Sequence, residues 1–230
     1  MQTLLRALPD DLPRRGVVHV GAHRGEEVPV FRQFGFEHAI LIEANPQHAA
    51  ALRDQFADDP TISVVASAVG DRNGVANLLV HTSRKGSTEP ASLLPLLELQ
   101  RILPTLTTPS TVEVPIVTLD EMWRRGLLNP MRHNLLVVDV QGAEAMVFAG
   151  ARGFAATIDA IVTEVNVIQL YEGAVLEGEL LAELAGQGFT PRQSVYHELF
   201  RNDERFVAWG ECLLMRERAT HVNGDSDGMD

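Results

Sequence analysis

Apolar and polar positions alternate along this chain in two distinct periods. Short, nearly continuous apolar runs stand at residues 17–20, 39–42, 62–69, 112–117, 134–140 and 158–167, with a further β-rich run at 75–80. Such runs are the signature of strands covered on both faces. Between several of them the period lengthens to that of a helix. Ala49, Leu52 and Phe56 share one face of a helix that begins with Asn45 as N-cap and Pro46 at its first position. Residues 118–121 form a capping box that opens another helix. Residues 143–149 and 176–185 predict two more, the last stopped by Gly186 and Gly188. Runs at 193–200 and 206–215 flank a polar turn around Asn202 and Asp203 and predict an antiparallel hairpin. Strands that alternate with helices and close on a hairpin predict an α/β fold with seven strands, mostly parallel, and an antiparallel C-terminal hairpin.

Two stretches depart from that pattern. Residues 82–111 carry Gly86, Pro90, Pro95, Pro104 and Pro109 around a leucine-rich segment. They predict a long connection with one short helix, and connections of that length in a compact domain are commonly lids or binding loops. Residues 217–230 lack apolar periodicity and predict a flexible tail. One domain over residues 1–216, with 82–111 as a lid insertion, accounts for the rest.

The strand ends carry the candidate chemistry. The first run passes into a turn, Gly21-Ala22-His23-Arg24-Gly25; a short helix follows, and the next run ends on Glu43. This is a βαβ unit suited to a nucleoside, with glycines that admit a ligand close to the backbone and an acid placed for a ribose. A dinucleotide turn carries a third, central glycine for the pyrophosphate. None stands here, which disfavours NAD and FAD. Asp139, Glu164 and Asn166 also fall at carboxyl ends of strands, the rim where ligands sit in such sheets.

Composition narrows the classes. The chain has 230 residues, 45% of them apolar and 22% charged, with a formal net charge of −12. An acidic chain without a basic run is a poor partner for nucleic acid. Cys212 is the single cysteine and lies in an apolar run, so no internal disulfide forms and a core role is expected. No apolar stretch reaches the length of a signal peptide or a membrane span. A cytoplasmic protein is the expectation.

Five blocks, VHVGAHRGEE, ILIEANP, ASAVGDRNG, VPIVTLDEM and LLVVDVQGAEAMVFAGA, occur in that order between residues 18 and 152. Together they resemble the FkbM-type methyltransferases, a family of O-methyltransferases dependent on S-adenosylmethionine (SAM). The resemblance covers roughly residues 16–166. The family more often has Glu where this chain has Gln141, and Asn where it has His23. The resemblance implies a Rossmann-like class I methyltransferase sheet. It places Gly21, Ala22 and His23 under the methionine end of SAM and Glu43 on the ribose hydroxyls. Ala44 and Asn45 would border the adenosine, Ser67 and Ala68 the adenine, and Asp139 the amino group or the reaction centre. It also implies hydroxyl acceptors on sugars, polyketides and other natural products, without naming one.

A sugar hydroxyl is a weak acid, so its methylation needs a base or a metal. The candidate bases are Glu144, His197 and His23; Asp139 stands at the reaction centre; His19 reads as a core residue. The alternative is a divalent ion such as Mg²⁺ on Asp139, Glu164 and Asn166, an arrangement similar to the catechol-type O-methyltransferases. The expected function is SAM-dependent O-methylation of a saccharide or glycosylated natural product. A non-catalytic nucleoside-binding subunit, or an enzyme acting on a non-sugar product, stays open beside it. The expected partner is a small-molecule or oligosaccharide acceptor, with a homodimer allowed for and neither nucleic acid nor a membrane span.

Overall fold

The computed structural model describes residues 1–82, 88–201 and 204–217. The turn expected at Asn202 and Asp203, and residues 218–230 of the expected tail, lie outside them. In chain order the elements are α1 (Gln2–Leu5), β1 (Gly16–Val20), α2 (Val28–Gln33), β2 (His38–Glu43), α3 (Pro46–Gln55) and β3 (Ile62–Ala66). Next come β4 (Ala68–Val69), β5 (Gly74–Thr82), β6 (Thr88–Ser92), α4 (Leu99–Ile102) and β7 (Ser110–Val117). The last third holds α5 (Leu119–Arg124), β8 (Leu135–Val138), α6 (Glu144–Ala149), α7 (Arg152–Ala155), β9 (Ala160–Asn166), α8 (Glu177–Gly186), β10 (Phe189–Arg201) and β11 (Glu204–Arg216).

Seven strands form the main sheet in the order β10-β11-β9-β8-β1-β2-β3. β3, β2, β1, β8 and β9 are mutually parallel, and β11 joins antiparallel to both β9 and β10. This is the predicted sheet. β1, β8 and β9 are buried along their whole length, as their unbroken apolar runs require. Alternate side chains supply two cores. On one face Val17, Leu41 and Val137 meet Leu4, Leu5, Phe31 and Leu52; on the other Val18, Ile40 and Val138 meet Met122, Phe148, Phe154, Leu180 and Leu184. The chain leaves β1 toward β2 on one side, and β8 lies on its other side. That reversal opens a crevice beyond the carboxyl ends of β1 and β8.

The capping predictions hold in outline. Asn45 Oδ1 accepts from the Gln47 N–H at 3.0 Å, with Pro46 at the first helical position. Thr118 caps α5 through the Glu121 N–H, but Glu121 turns its carboxylate to Arg124 and Arg125 instead of closing the box.

The stretch from 62 to 117 departs most from expectation. The run at 62–69 is two strands, because Ser67 carries the chain out of the main sheet. β4 then starts a separate four-stranded sheet in the order β4-β7-β5-β6. The connection at 82–111 is not bare. It holds β6, paired to β5, and α4. A strap from Leu94 to Leu99 is tied to the 170–172 segment: Leu97 N–H donates to Leu170 O at 2.8 Å, and Glu172 N–H donates to Pro95 O at 2.8 Å. Proline-rich sequence hid these ties because they are long-range backbone bonds that leave no local period.

Asn134, 1% exposed, staples the entrance to β8. Its Nδ2 donates to Pro13 O and Asp159 Oδ2, both at 2.8 Å, and its Oδ1 accepts from the Arg15 N–H at 3.2 Å. Asn134→Ala removes three part-buried hydrogen bonds, although Asp159 Oδ2 keeps the Arg15 guanidinium, and is expected to cost about 2–3 kcal/mol. Urea unfolding should show this as a lowered midpoint at unchanged slope; an unchanged midpoint would refute the staple.

Candidate active site

The crevice is a cleft of about 510 Å³, within the range of small-molecule sites. Glu43, at the end of β2, anchors it. Its Oε2 accepts from the His23 N–H and its Oε1 from the Asn45 N–H, each at 2.7 Å. Burial raises its pKa, and those two N–H groups pull it back down. Each oxygen keeps a lone pair for a ligand hydroxyl.

The turn after β1 is built for this contact. Gly21 has φ 85° and Gly25 φ 75°, and His23 is held left-handed at φ 46°. The glycines answer to the protein rather than to a ligand. A Cβ on Gly21 would stand 1.7 Å from the Asp139 carbonyl oxygen, and one on Gly25 would press on Phe56 and Leu52 at 3.0–3.1 Å. Beside any room they leave a ligand, Gly21 permits the close approach between the ends of β1 and β8.

Of the residues the sequence proposed for the cofactor, Gly21, His23, Glu43, Ala44, Ser67, Ala68 and Asp139 line the cleft. Ala22 and Asn45 do not. The Ala22 methyl is buried in the core under α2, and the Asn45 side chain is spent on the cap of α3. Ser67 contributes wall, since its hydroxyl donates to the carbonyls of Ala68 and Pro115. The remaining wall was not legible. Leu78 from β5, Pro90 and Ala91 from β6, and Leu93 just beyond come from the second sheet. His19, His48, Glu26 and Glu27 also face the cleft. His19 is buried, and burial lowers its pKa to about 4, so its ring is neutral.

At the far end Asp139, Glu144 and Glu164 bring carboxylate oxygens within 4.8 Å of one another. Burial comes first among the causes that raise all three pKa values, and Glu144 reaches about 7. Charge repulsion adds to it: Asp139 acts on Glu144 and Glu164, and Glu211, opposite Glu164 across β11–β9, acts on both Asp139 and Glu164. Glu144 serves the turn as well as the cluster. Its Oε1 accepts from Val140 N–H at 3.0 Å and Gly142 N–H at 3.2 Å.

Gln141 binds the cluster together, a residue visible in the sequence only as a departure from the family pattern. Its backbone is left-handed at φ 58°. Its Nε2 donates to Asp139 Oδ1 at 2.7 Å and lies 3.4 Å from Glu164 Oε2; its Oε1 accepts from Tyr171 Oη at 2.7 Å. Ser92, at the end of β6, donates to its carbonyl oxygen at 2.6 Å. Gly142, at φ 95°, lets the Tyr171 ring lie against the turn; a Cβ there would meet Tyr171 Cδ2 at 2.5 Å.

One sequence candidate stands apart from this centre. His197 does not line the cleft. It is half-exposed on the hairpin, stacked on Trp209 at 5.3 Å, although its charge is felt at Asp139. Asp139 and Glu164 of the expected metal trio come together with a further carboxylate, Glu144, which enters from the start of α6. Asn166 remains two residues beyond Glu164 on the same face of β9, buried, and its Oδ1 has no partner.

The Glu144 pKa has a consequence for stability. A folded value near 7, above the ordinary 4.5, means that between those pH values the native state holds a proton the unfolded chain has released. Stability from this group is therefore full below about pH 4.5 and is lost as pH rises through 7, by up to about 3 kcal/mol. Glu144→Gln keeps the acceptor for Val140 and Gly142 without the charge. In EDTA-treated buffer the variant should lose less stability than the native protein between pH 5 and pH 8, and should exceed it at pH 8. Identical urea midpoints across that range would contradict the buried-acid account.

A family model for the methyltransferase FkbM domain matches residues 19–191. No curated protein matches the sequence. Among solved structures the chain is similar to a candidate RNA methyltransferase of Pyrococcus horikoshii, at 10% identity over 94% of this chain and 83% of that one, with a TM-score of 0.50. It is similar to a candidate tRNA methyltransferase of Streptococcus pneumoniae at 9% identity, 94% and 69% coverage and a TM-score of 0.52. It is similar to TrmK of M. capricolum, solved with S-adenosylhomocysteine (SAH), at 5% identity, 94% and 67% coverage and a TM-score of 0.51. At such identities these likenesses bear on the fold alone. The match over residues 19–191, together with the βαβ cleft closed by Glu43, identifies the chain as a member of the FkbM family of SAM-dependent methyltransferases.

Proposed function

We propose that this protein transfers the methyl group of SAM to a hydroxyl oxygen of a saccharide or a glycosylated natural product. The observation that carries the reading is the cluster of Asp139, Glu144 and Glu164 at the end of a cleft shaped for a nucleoside. SAM, when bound, supplies a methyl on a sulfonium, a strong electrophile. The protein's own task is to align the hydroxyl and take its proton. Asp139 lines the cleft and is the residue placed to accept that proton. As the O–CH₃ bond forms and the S–CH₃ bond breaks, the proton passes to its carboxylate. Burial, then the charge of Glu211, raises its proton affinity. Gln141 holds its Oδ1 in position.

Two features favour a polyol over a flat phenol. None of the described residues lining the cleft is Phe, Tyr or Trp. Trp209 lies opposite Asn166 in the β11–β9 register, on the side of the acids, with His197 stacked on it. A pair of stacked rings next to carboxylates suits the apolar face and the hydroxyl edge of a sugar, and gives His197 a role in place of general base.

The cluster also fits a divalent cation. The donors are all oxygen, the carboxylates repel one another, and the Asn166 Oδ1 is buried without a partner among the described residues. Asp139, Glu144, Glu164 and Asn166 would hold the ion, which would lower the pKa of the acceptor hydroxyl.

SAM turnover against saccharides, glycosides, phenols and carboxylates, with and without EDTA, tests both arms. Methylation confined to sugar hydroxyls is expected, with Asp139→Asn lowering kcat by roughly 10²–10⁴-fold. Loss of turnover in EDTA with recovery in Mg²⁺ would assign the proton's release to the metal arm, and full turnover in EDTA to the carboxylate arm. Turnover of phenols or carboxylates alone would overturn the saccharide reading.

A further inference from the structure

We propose that His48 is a cofactor-binding residue whose imidazole Nε2 meets a ribose hydroxyl of SAM beside Glu43. Neither the family pattern nor the β2 acid points to this side chain; the geometry does. His48 is the third residue of α3, lines the cleft, and is only 7% exposed. Its Nε2 has no hydrogen-bond partner. A buried polar nitrogen left unmade is costly and uncommon, and one in the wall of a ligand cleft has an obvious place to find its partner.

The neighbours show which part of the ligand that partner is. The His23 ring stands edge-on to His48 at 4.5 Å, with an interplanar angle of 89°. The backbone N–H of the same His23 donates to Glu43 Oε2. His23 therefore sits between His48 and Glu43 and puts both at the ribose end of the cleft. The His23 ring is itself engaged, with Nδ1 2.9 Å from Glu26 Oε1. Asn45, the helix cap, is likewise spent on Gln47. Among the described residues of the cleft, His48 Nε2 and His19 Nδ1 are the buried ring nitrogens without a partner, and His48 is the one whose ring meets His23. Burial, then the positive charges of His23 and Arg24, lower the His48 pKa, which favours a neutral ring. A neutral imidazole can donate to or accept from a hydroxyl and does not repel a cationic sulfonium.

The assignment concerns the cofactor and does not depend on the acceptor. Its test is calorimetry of SAH and of its 2′-deoxy and 3′-deoxy counterparts, with native protein, His48→Ala and His48→Gln. Loss of one such bond should weaken SAH by roughly 5- to 20-fold in His48→Ala. The penalty for removing one of the two ribose hydroxyls should be correspondingly smaller in that variant than in the native protein. His48→Gln, which keeps a donor and an acceptor, should bind SAH within about threefold of native. Thermal unfolding of the ligand-free proteins checks that each variant is folded. Unchanged SAH affinity in His48→Ala would overturn the proposal. So would equal losses for SAH and both deoxy compounds, which would make His48 mere wall. A glutamine variant as weak as the alanine one would also overturn the hydrogen bond. Native protein that fails to bind SAH would instead overturn the cofactor assignment on which the proposal stands.

Discussion

The carboxylate of Glu43 joins three pieces of chain that are distant in sequence or in direction. One oxygen holds the His23 amide of the turn after β1, and the other holds the Asn45 amide that opens α3. Glu43 itself ends β2. Remove the acid and two buried N–H groups lose their partner at the point where β1, β2 and α3 meet. The same carboxylate faces the cleft. One desolvated group thus sets the local fold and faces the cleft, and its raised pKa is the cost of burying a charge that the backbone amides satisfy only in part.

The second organising constraint lies across the cleft. Asp139 follows β8, Glu164 lies in β9, and Glu144 begins α6, so the sheet itself brings three acids together. Such a cluster is tolerable only if protons, donors or a cation relieve it. The chain supplies donors from unexpected directions. Gln141 reaches Asp139 and Glu164, Tyr171 and Ser92 fix Gln141, and the Val140 and Gly142 amides fix Glu144. Ser92 belongs to β6, whose neighbours Pro90 and Ala91 wall the cofactor cleft. A single edge of the second sheet therefore touches both the cleft wall and the turn that holds the acid cluster.

How far the sequence reveals this follows from where each signal resides. The nearly continuous apolar runs at 134–140 and 158–167 revealed central strands because burial on both faces leaves few polar positions. Glu43 was legible because an acid at the end of an apolar strand, after a glycine turn, has few structural reasons to be there. Asp139 and Glu164 were legible by the same rule. The second sheet was not, because its strands alternate weakly and its partners are far away in sequence. The roles of Gln141 and Tyr171 were not legible either: one departed from the family pattern but needs a left-handed backbone that only coordinates disclose, and the other packs against Gly142 across 29 residues. His197 was read as a base on chemical type alone, and the hairpin carries it out to Trp209. The glycines of the turn serve the packing of the protein as well, which the sequence did not disclose. Their hydrogen-sized space is used by Asp139, Leu52 and Phe56.

The central claim is that Glu43 is the cofactor's ribose ligand. Calorimetry of SAH binding to native protein and to Glu43→Ala tests it most directly, with hydrogen exchange of the His23 and Asn45 amides as the structural companion. The account predicts that SAH affinity falls by 10²-fold or more, roughly two charge-assisted bonds at about 1.5 kcal/mol each or above, and that both amides lose protection in the free variant. Glu43→Ala that binds SAH as tightly as the native protein would contradict it.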